Sequence, residues 1–120
     1  MKFTAIFSAL TVMFAAASWV SAQTVPGNPQ EGRSIYRQHC LRCHGEKLDG
    51  RGPESGDLIV KPTNFLSPAV SSKTDWELLV TIANGALFTP MHSFRGKLND
   101  QQMLDVLSYI RSVAPFDTTG

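Results

Sequence analysis

The residues best equipped for chemistry lie in one run, Cys40-Leu41-Arg42-Cys43-His44. The order C-x-x-C-H is that of covalent c-type haem attachment. On a helical turn, two thiols three residues apart lie on one side, where each can form a thioether with one haem vinyl group. His44, four residues after Cys40, then presents an imidazole nitrogen to the iron. A neutral imidazole is a good iron ligand, and its second ring nitrogen needs an acceptor to fix the tautomer. Three other chemistries use the same residue types. A thioredoxin-like redox pair needs a βαβ frame, and no convincing strand pair is legible. A Cys/His zinc site needs a second clustered ligand pair, for which the distant candidate is His92. A disulfide between Cys40 and Cys43 would close a small, strained loop and leave His44 without a role.

An iron held by His44 takes its sixth ligand from the far side of the haem, hence from elsewhere in the chain. The candidates are Met91, His92, Met103 and His39. Met103 falls in a C-terminal apolar stripe, where core packing accounts for it. His39 directly precedes Cys40 on the attachment helix and cannot easily reach the opposite face. Met91 and His92 share a loop, and only one can ligate. Pro90 fixes the backbone ahead of Met91, and an uncharged thioether suits both ferrous and ferric iron and raises the potential. His92 stays the alternative sixth ligand.

The elements that must position these groups read as helices. Asn28 as N-cap, Pro29 at the first helical position and Glu31 at the third predict a helix from Pro29 to about Arg42. Gly32, Tyr36, Cys40 and Cys43 fall on one face of it, and Gly32 implies close approach by another backbone. From Gly45 to Lys73, four glycines and three prolines break any regular pattern. A connection that long is expected to wrap a ligand, with a short turn of helix near 68–71. Thr74-Asp75-Trp76-Glu77 is a capping box, followed by Trp76, Leu79, Val80 and Ala83 at helical spacing until Asn84-Gly85. Asn99 caps the last helix, where Met103, Val106, Leu107, Ile110, Val113 and Ala114 form an apolar stripe ended by Pro115. The fold class is all-α: three main helices and long loops.

Length and composition agree with a filled cavity. With 120 residues there is room for one small domain. Phe3 to Val20 holds 14 apolar residues in 18 positions, with Lys2 the only charge before Glu31, which reads as a signal peptide over 1–22 cleaved after Ala22. An uncleaved anchor is the alternative, since 18 residues just suffice to span a membrane. The domain over 23–120 keeps only 35 hydrophobic residues in 98, thin for its size. The cysteine pair is too close together to staple a fold, so a metal or cofactor is expected in the core. Ten basic against ten acidic residues in that span, with no basic run, give no sign of binding nucleic acid or anionic lipid. Lys47, Arg51, Lys61, Arg95 and Lys97 fall in loops expected to border the haem. They suggest a basic rim steering the protein to an acidic partner, although ordinary solvated charges would give the same pattern.

At this point the sequence resembles the small class I cytochromes c of bacteria over nearly all of 28–114. Gly32-x-x-x-Tyr36-x-x-x-Cys40-x-x-Cys43-His44 resembles that family's N-terminal helix and haem motif. Asn84-Gly85 through Met91 and Phe94 is similar to its distal loop, and Val106-Leu107-Ser108-Tyr109-Ile110 to its C-terminal helix. One departure is His92, where bacterial relatives often place a proline after the ligand methionine. The resemblance implies a cytochrome c fold around one covalent haem c. In it the carbonyl of Pro53, in a Gly52-Pro53 turn, would accept the imidazole N–H of His44. It also implies a periplasmic electron carrier without enzymatic activity, passing single electrons between donor and acceptor proteins through the haem edge. Two alternatives stay open: a haem subunit of a larger dehydrogenase or reductase, and a ligand-binding or peroxidatic haem with a labile sixth ligand.

Overall fold

A computed structural model describes residues 26–117; the signal peptide expected over 1–22 lies outside the described residues. Among the described residues five helices follow in order: α1 (Pro29–His39), α2 (Leu41–His44), α3 (Pro68–Ser71), α4 (Asp75–Asn84) and α5 (Asp100–Val113). Among the described residues there is no strand, only an isolated bridge between Arg95 and Leu98.

Helix α1 begins where the caps place it. The Asn28 side chain accepts from the Gln30 N–H at 2.9 Å and the Glu31 N–H at 3.4 Å. Instead of running on to Arg42, the helix breaks at Cys40 and restarts as α2. The Cys40 N–H still donates to the Tyr36 carbonyl at 2.8 Å, while its carbonyl accepts from Cys43 and His44 at 3.2 and 2.9 Å. Gly45, with φ of 83°, then ends the turn. Cys40 is thus a corner between two helical segments, and both cysteines and His44 belong to the short second one or its cap.

The principal helix contact is α1 against α5. Gly32 faces the Asp105 carbonyl so closely that a side chain there would collide with it, and an added Cβ would lie 2.9 Å from Tyr109 Cβ. That is the close backbone approach the glycine implies. One turn on, the Tyr36 and Tyr109 rings meet edge to face at 5.3 Å, and the Tyr36 hydroxyl donates to the Gly45 carbonyl at 2.7 Å. Burial raises the Tyr36 pKa well above the usual phenol range, so this donor keeps its proton. The buried Asp105 carboxylate accepts from the Asn28 N–H at 2.8 Å and from Gln101 Nε2 at 2.9 Å.

On α4 the Thr74–Glu77 capping box forms as expected. Its buried face is Leu78, Ile82 and Ala83, whereas Trp76 is 71% exposed. Of the expected stripe of Trp76, Leu79, Val80 and Ala83, Ala83 is buried and Leu79 packs against the core, while all four border a surface groove with Met103 and Leu104 of α5. The helix is apolar on two sides, and periodicity alone cannot say which side meets the core. The α5 stripe is buried from Met103 to Ile110, with Ala114 beyond the helix end; Val113 is the exception. Arg111 joins the end of α5 to the start of α4 by donating to Asp75 at 2.6 Å and to the Lys73 carbonyl.

Candidate functional site

The α1–α2 corner, the loop through 58–65, α3, α4 and the loop 86–94 enclose one open cleft. Its cavity volume is about 210 Å³. Its lining is mostly apolar and includes Phe65, Val70, Leu78, Ile82, Phe94 and Ile110. Cys40, Cys43, His44, Met91 and His92, far apart in sequence, all border it. Met103 does not; it is buried on α5.

Neither cysteine is in a disulfide. Burial first, and the neighbouring Cys43 second, push the Cys40 thiol up to about 12, so it is a neutral S–H at physiological pH. The His44 ring packs on Phe65 at 4.9 Å between centroids. Its pKa is lowered by burial, partly opposed by a hydrogen bond to the Thr63 carbonyl. His44 Nδ1 lies 3.2 Å from that oxygen. A carbonyl only accepts, so Nδ1 carries the proton and Nε2 keeps a free lone pair.

Thr63, not Pro53, is therefore the residue whose carbonyl meets the imidazole. The reason is visible on both sides. The Gly52-Pro53 turn is occupied with the end of α2: the Gly52 N–H donates to the Cys43 carbonyl at 3.0 Å and the Glu54 N–H to that of Arg42 at 2.8 Å. These satisfy carbonyls that a helix end leaves unpaired. The strand of loop at 62–65 is drawn in by the Phe65 N–H, which donates to the Leu48 carbonyl at 2.9 Å. Gly50 makes room for it: with φ of 77°, an added Cβ there would lie 2.5 Å from the Pro62 carbonyl oxygen. Sequence reasoning missed Thr63 because a backbone acceptor has no residue-type signature. The available signals were Gly50 and Pro62.

The loop carrying Met91 is tied to itself. The Ala86 N–H donates to the Met91 carbonyl at 3.0 Å, and the Thr89 hydroxyl donates to the Ala86 carbonyl at 2.8 Å while accepting the Met91 N–H at 3.1 Å. Met91 is half-buried against the core; His92 is exposed, its ring 4.6 Å from that of Phe94. His39 packs on the same Phe94 at 6.0 Å and borders the cleft as well.

The basic residues expected to border the haem are placed differently from one another. Of the five, Lys61 alone lines the cleft, and its ammonium donates to the Ser55 and Gly56 carbonyls at 3.1 and 2.7 Å. Arg95 instead donates to Asn84 at 2.7 Å and borders the α4–α5 groove. Lys73 also lines the cleft, beside the Glu77 carboxylate.

This donor set fits a haem. Two unpaired thiols, an imidazole with a free Nε2 and a thioether meet at one mostly apolar cleft. Among the described residues no group of three or more His, Cys, Asp or Glu could hold a metal ion by itself. No described helix is long and apolar enough to cross a membrane.

Comparison with known proteins agrees. Residues 27–110 match the family model described as "Cytochrome C oxidase, cbb3-type, subunit III". The chain is 32% identical over 85 residues to the dihydro-heme d1 dehydrogenase of Pseudomonas aeruginosa, covering 70% of this chain but only 15% of that protein. It superposes on a chain of the reducing HAO-like protein complex of Kuenenia stuttgartiensis with a TM-score of 0.63 and 26% identity, over 70% of this chain and 41% of that one. Cytochrome c6 of the diatom Phaeodactylum tricornutum, at 19% identity, shares the fold over 73% of this chain and 95% of its own length, with a TM-score of 0.56. Cys40, Cys43, His44 and Met91 all fall within the matched span, and the chain belongs to this family of c-type cytochrome domains, with the cytochrome c fold and the haem cofactor that membership implies.

Proposed function

We propose that the protein is a periplasmic monohaem cytochrome that passes single electrons between a donor and an acceptor protein. The observation that carries this reading is the convergence of Cys40, Cys43, His44 and Met91 on one apolar cleft. Haem supplies the one-electron ferrous/ferric couple. Cys40 and Cys43 would hold it through two thioethers. His44 would ligate through Nε2, with the Thr63 carbonyl fixing its tautomer. Met91 would be the sixth ligand: it is half-buried against the core and its amide and carbonyl are both held, whereas His92 is exposed and its ring packs on Phe94. With His44 and Met91 both bound, no substrate site would remain at the iron, and we assign no catalytic residue. The apolar walls would disfavour the extra charge of the ferric state, which with a thioether ligand would raise the potential. Residues 1–22 are a signal peptide and 23–120 the haem domain.

Protein purified from periplasm tests this. A pyridine haemochrome should show one covalent haem per chain, and redox titration one reversible one-electron step. The ferrous protein should leave carbon monoxide unbound. Ready binding of carbon monoxide would instead support a ligand-binding haem. N-terminal sequencing that finds Met1 would sink the cleavage.

A second reading rests on relative length. The chain spans 15% of its dehydrogenase relative and 41% of the matched chain in the Kuenenia complex, so haem domains of this kind also occur inside larger proteins and assemblies. Co-migration of the haem with a catalytic subunit on size-exclusion chromatography of native periplasm would favour a relay within a complex.

A further inference from the structure

The two segments that line the cleft at 58–60 and 86–90 put their largest side chains outside it. Ile59 is 99% exposed, Leu87 87% and Phe88 99%, while their neighbours Leu58, Val60, Ala86 and Thr89 face the cleft. Two other exposed apolar side chains have local company: Phe116 lies under the Arg111 guanidinium, and Trp76 borders the α4–α5 groove. Leu87 and Phe88 have none of this. They form the tip of a tight turn closed by the Thr89 N–H, which donates to the Ala86 carbonyl at 3.2 Å. Phe88 occupies the third position of that turn with φ of 61°, a left-handed conformation normally given to glycine and strained for an aromatic residue. Burial of the ring would justify the strain, but the ring is in water. A strained, fully exposed aromatic beside a functional site points to function.

Resting on the electron-carrier reading above, we infer that Ile59, Leu87 and Phe88 form the surface on which the redox partner docks, and that this partner presents an uncharged apolar face around its own redox centre. The charge pattern selects that occupant. Neither 58–60 nor 86–90 contains a charged residue; Asp57 and Lys61 flank the first segment, the Lys61 ammonium is tethered to the Ser55 and Gly56 carbonyls, and Lys73 lines the cleft itself. A charged partner surface would be desolvated against this rim without compensation. Aromatic and aliphatic side chains that bury on contact carry most of the energy of small, short-lived interfaces.

The test is stopped-flow electron exchange between the holoprotein and a blue-copper protein whose copper edge lies in an uncharged apolar face. Ferricyanide, too small to use the rim, is the control oxidant. The double variant Leu87→Ser with Phe88→Ser should slow exchange with the copper protein about tenfold or more. Its rate with ferricyanide should stay within about twofold of wild type, and the wild-type rate with the copper protein should be nearly flat from about 10 to 300 mM salt. Phe88→Gly removes the ring and relieves the turn, so it should slow exchange while raising Tm. Unchanged exchange in both variants would overturn the inference, as would a steep fall of the wild-type rate with salt. Sedimentation showing a dimer lost in the double variant would assign the rim to a second copy of this chain. Binding of wild type, but not the variant, to phosphatidylcholine vesicles would assign it to a membrane; either result overturns the inference. A wild-type protein that ferricyanide cannot reversibly oxidise would sink the carrier reading itself, a failure distinct from all of these.

Discussion

The α1–α2 corner and the 86–92 loop border the same cleft, yet one is held by partners from across the chain and the other by its own hydrogen bonds. At the corner, α1 packs on α5, Gly52 and Glu54 close the end of α2, and Thr63 reaches His44 from 19 residues away. In the loop, both backbone hydrogen bonds of Met91 are made with Ala86 and Thr89. The corner is therefore stable only when the whole domain is folded. The loop can open locally at lower free energy, as segments with few long-range contacts do. The proposed carrier would be served by this division: the side that would hold the haem covalently stays fixed, and the side proposed to meet the partner is shaped by a short, self-contained turn.

The comparison can be broken most severely at the thioethers. Cys40→Ser with Cys43→Ser should abolish covalent haem, leaving no haem band after denaturing electrophoresis. With its core unfilled, the apoprotein should lose a cooperative thermal transition in near-UV circular dichroism. Next is Gly50→Ala, which forces an alanine to φ of 77° against the Pro62 carbonyl. A loss of about 2 kcal/mol is expected from the left-handed backbone alone. For a domain of this size that lowers Tm by roughly 8–16 °C. Thr89→Val removes the hydroxyl that both accepts from Met91 and donates to Ala86. A loss of about 1 kcal/mol is expected, felt mainly as faster carbon monoxide binding to the ferrous protein with little change in Tm. If Thr89→Val lowers Tm as much as Gly50→Ala does, the loop is not a separate unit.

The smallest effect is one of pH. The backbone N–H of Thr74, then its hydroxyl, hold the Glu77 carboxyl below the usual carboxylate range. A lowered folded-state pKa adds stability above the unfolded pKa that is lost as pH falls through the folded one. Wild type should therefore lose a small stability increment on acidification that Glu77→Gln does not, read as the difference between their Tm values across the carboxylate range.

Much of this architecture was legible beforehand where a residue type has one structural use. Asn28, Thr74 and Asn99 cap the helices they were expected to cap. Gly32 marks the helix crossing, and the attachment motif lies on the cleft. What was not legible depended on backbone or on tertiary choice. The acceptor for His44 is a carbonyl, which any residue could supply, so Thr63 left no trace while Pro53 attracted attention by its type. The face that α4 buries was undecidable because both of its sides are apolar. The bend at Cys40 follows from contacts made by Gly45, Gly52 and Glu54, which periodicity within 29–42 does not contain.

One consequence concerns the order of events during synthesis. The Asn28 N–H and the Asp105 carboxylate are 77 positions apart, and the first and last described helices form the main packing contact. Closing so large a loop precedes any reward from that contact, so the domain cannot mature from its leading end. Until α5 has emerged, α1 lacks its principal packing partner. The segment that carries both thiols is therefore fixed in place only when the last described helix has been made.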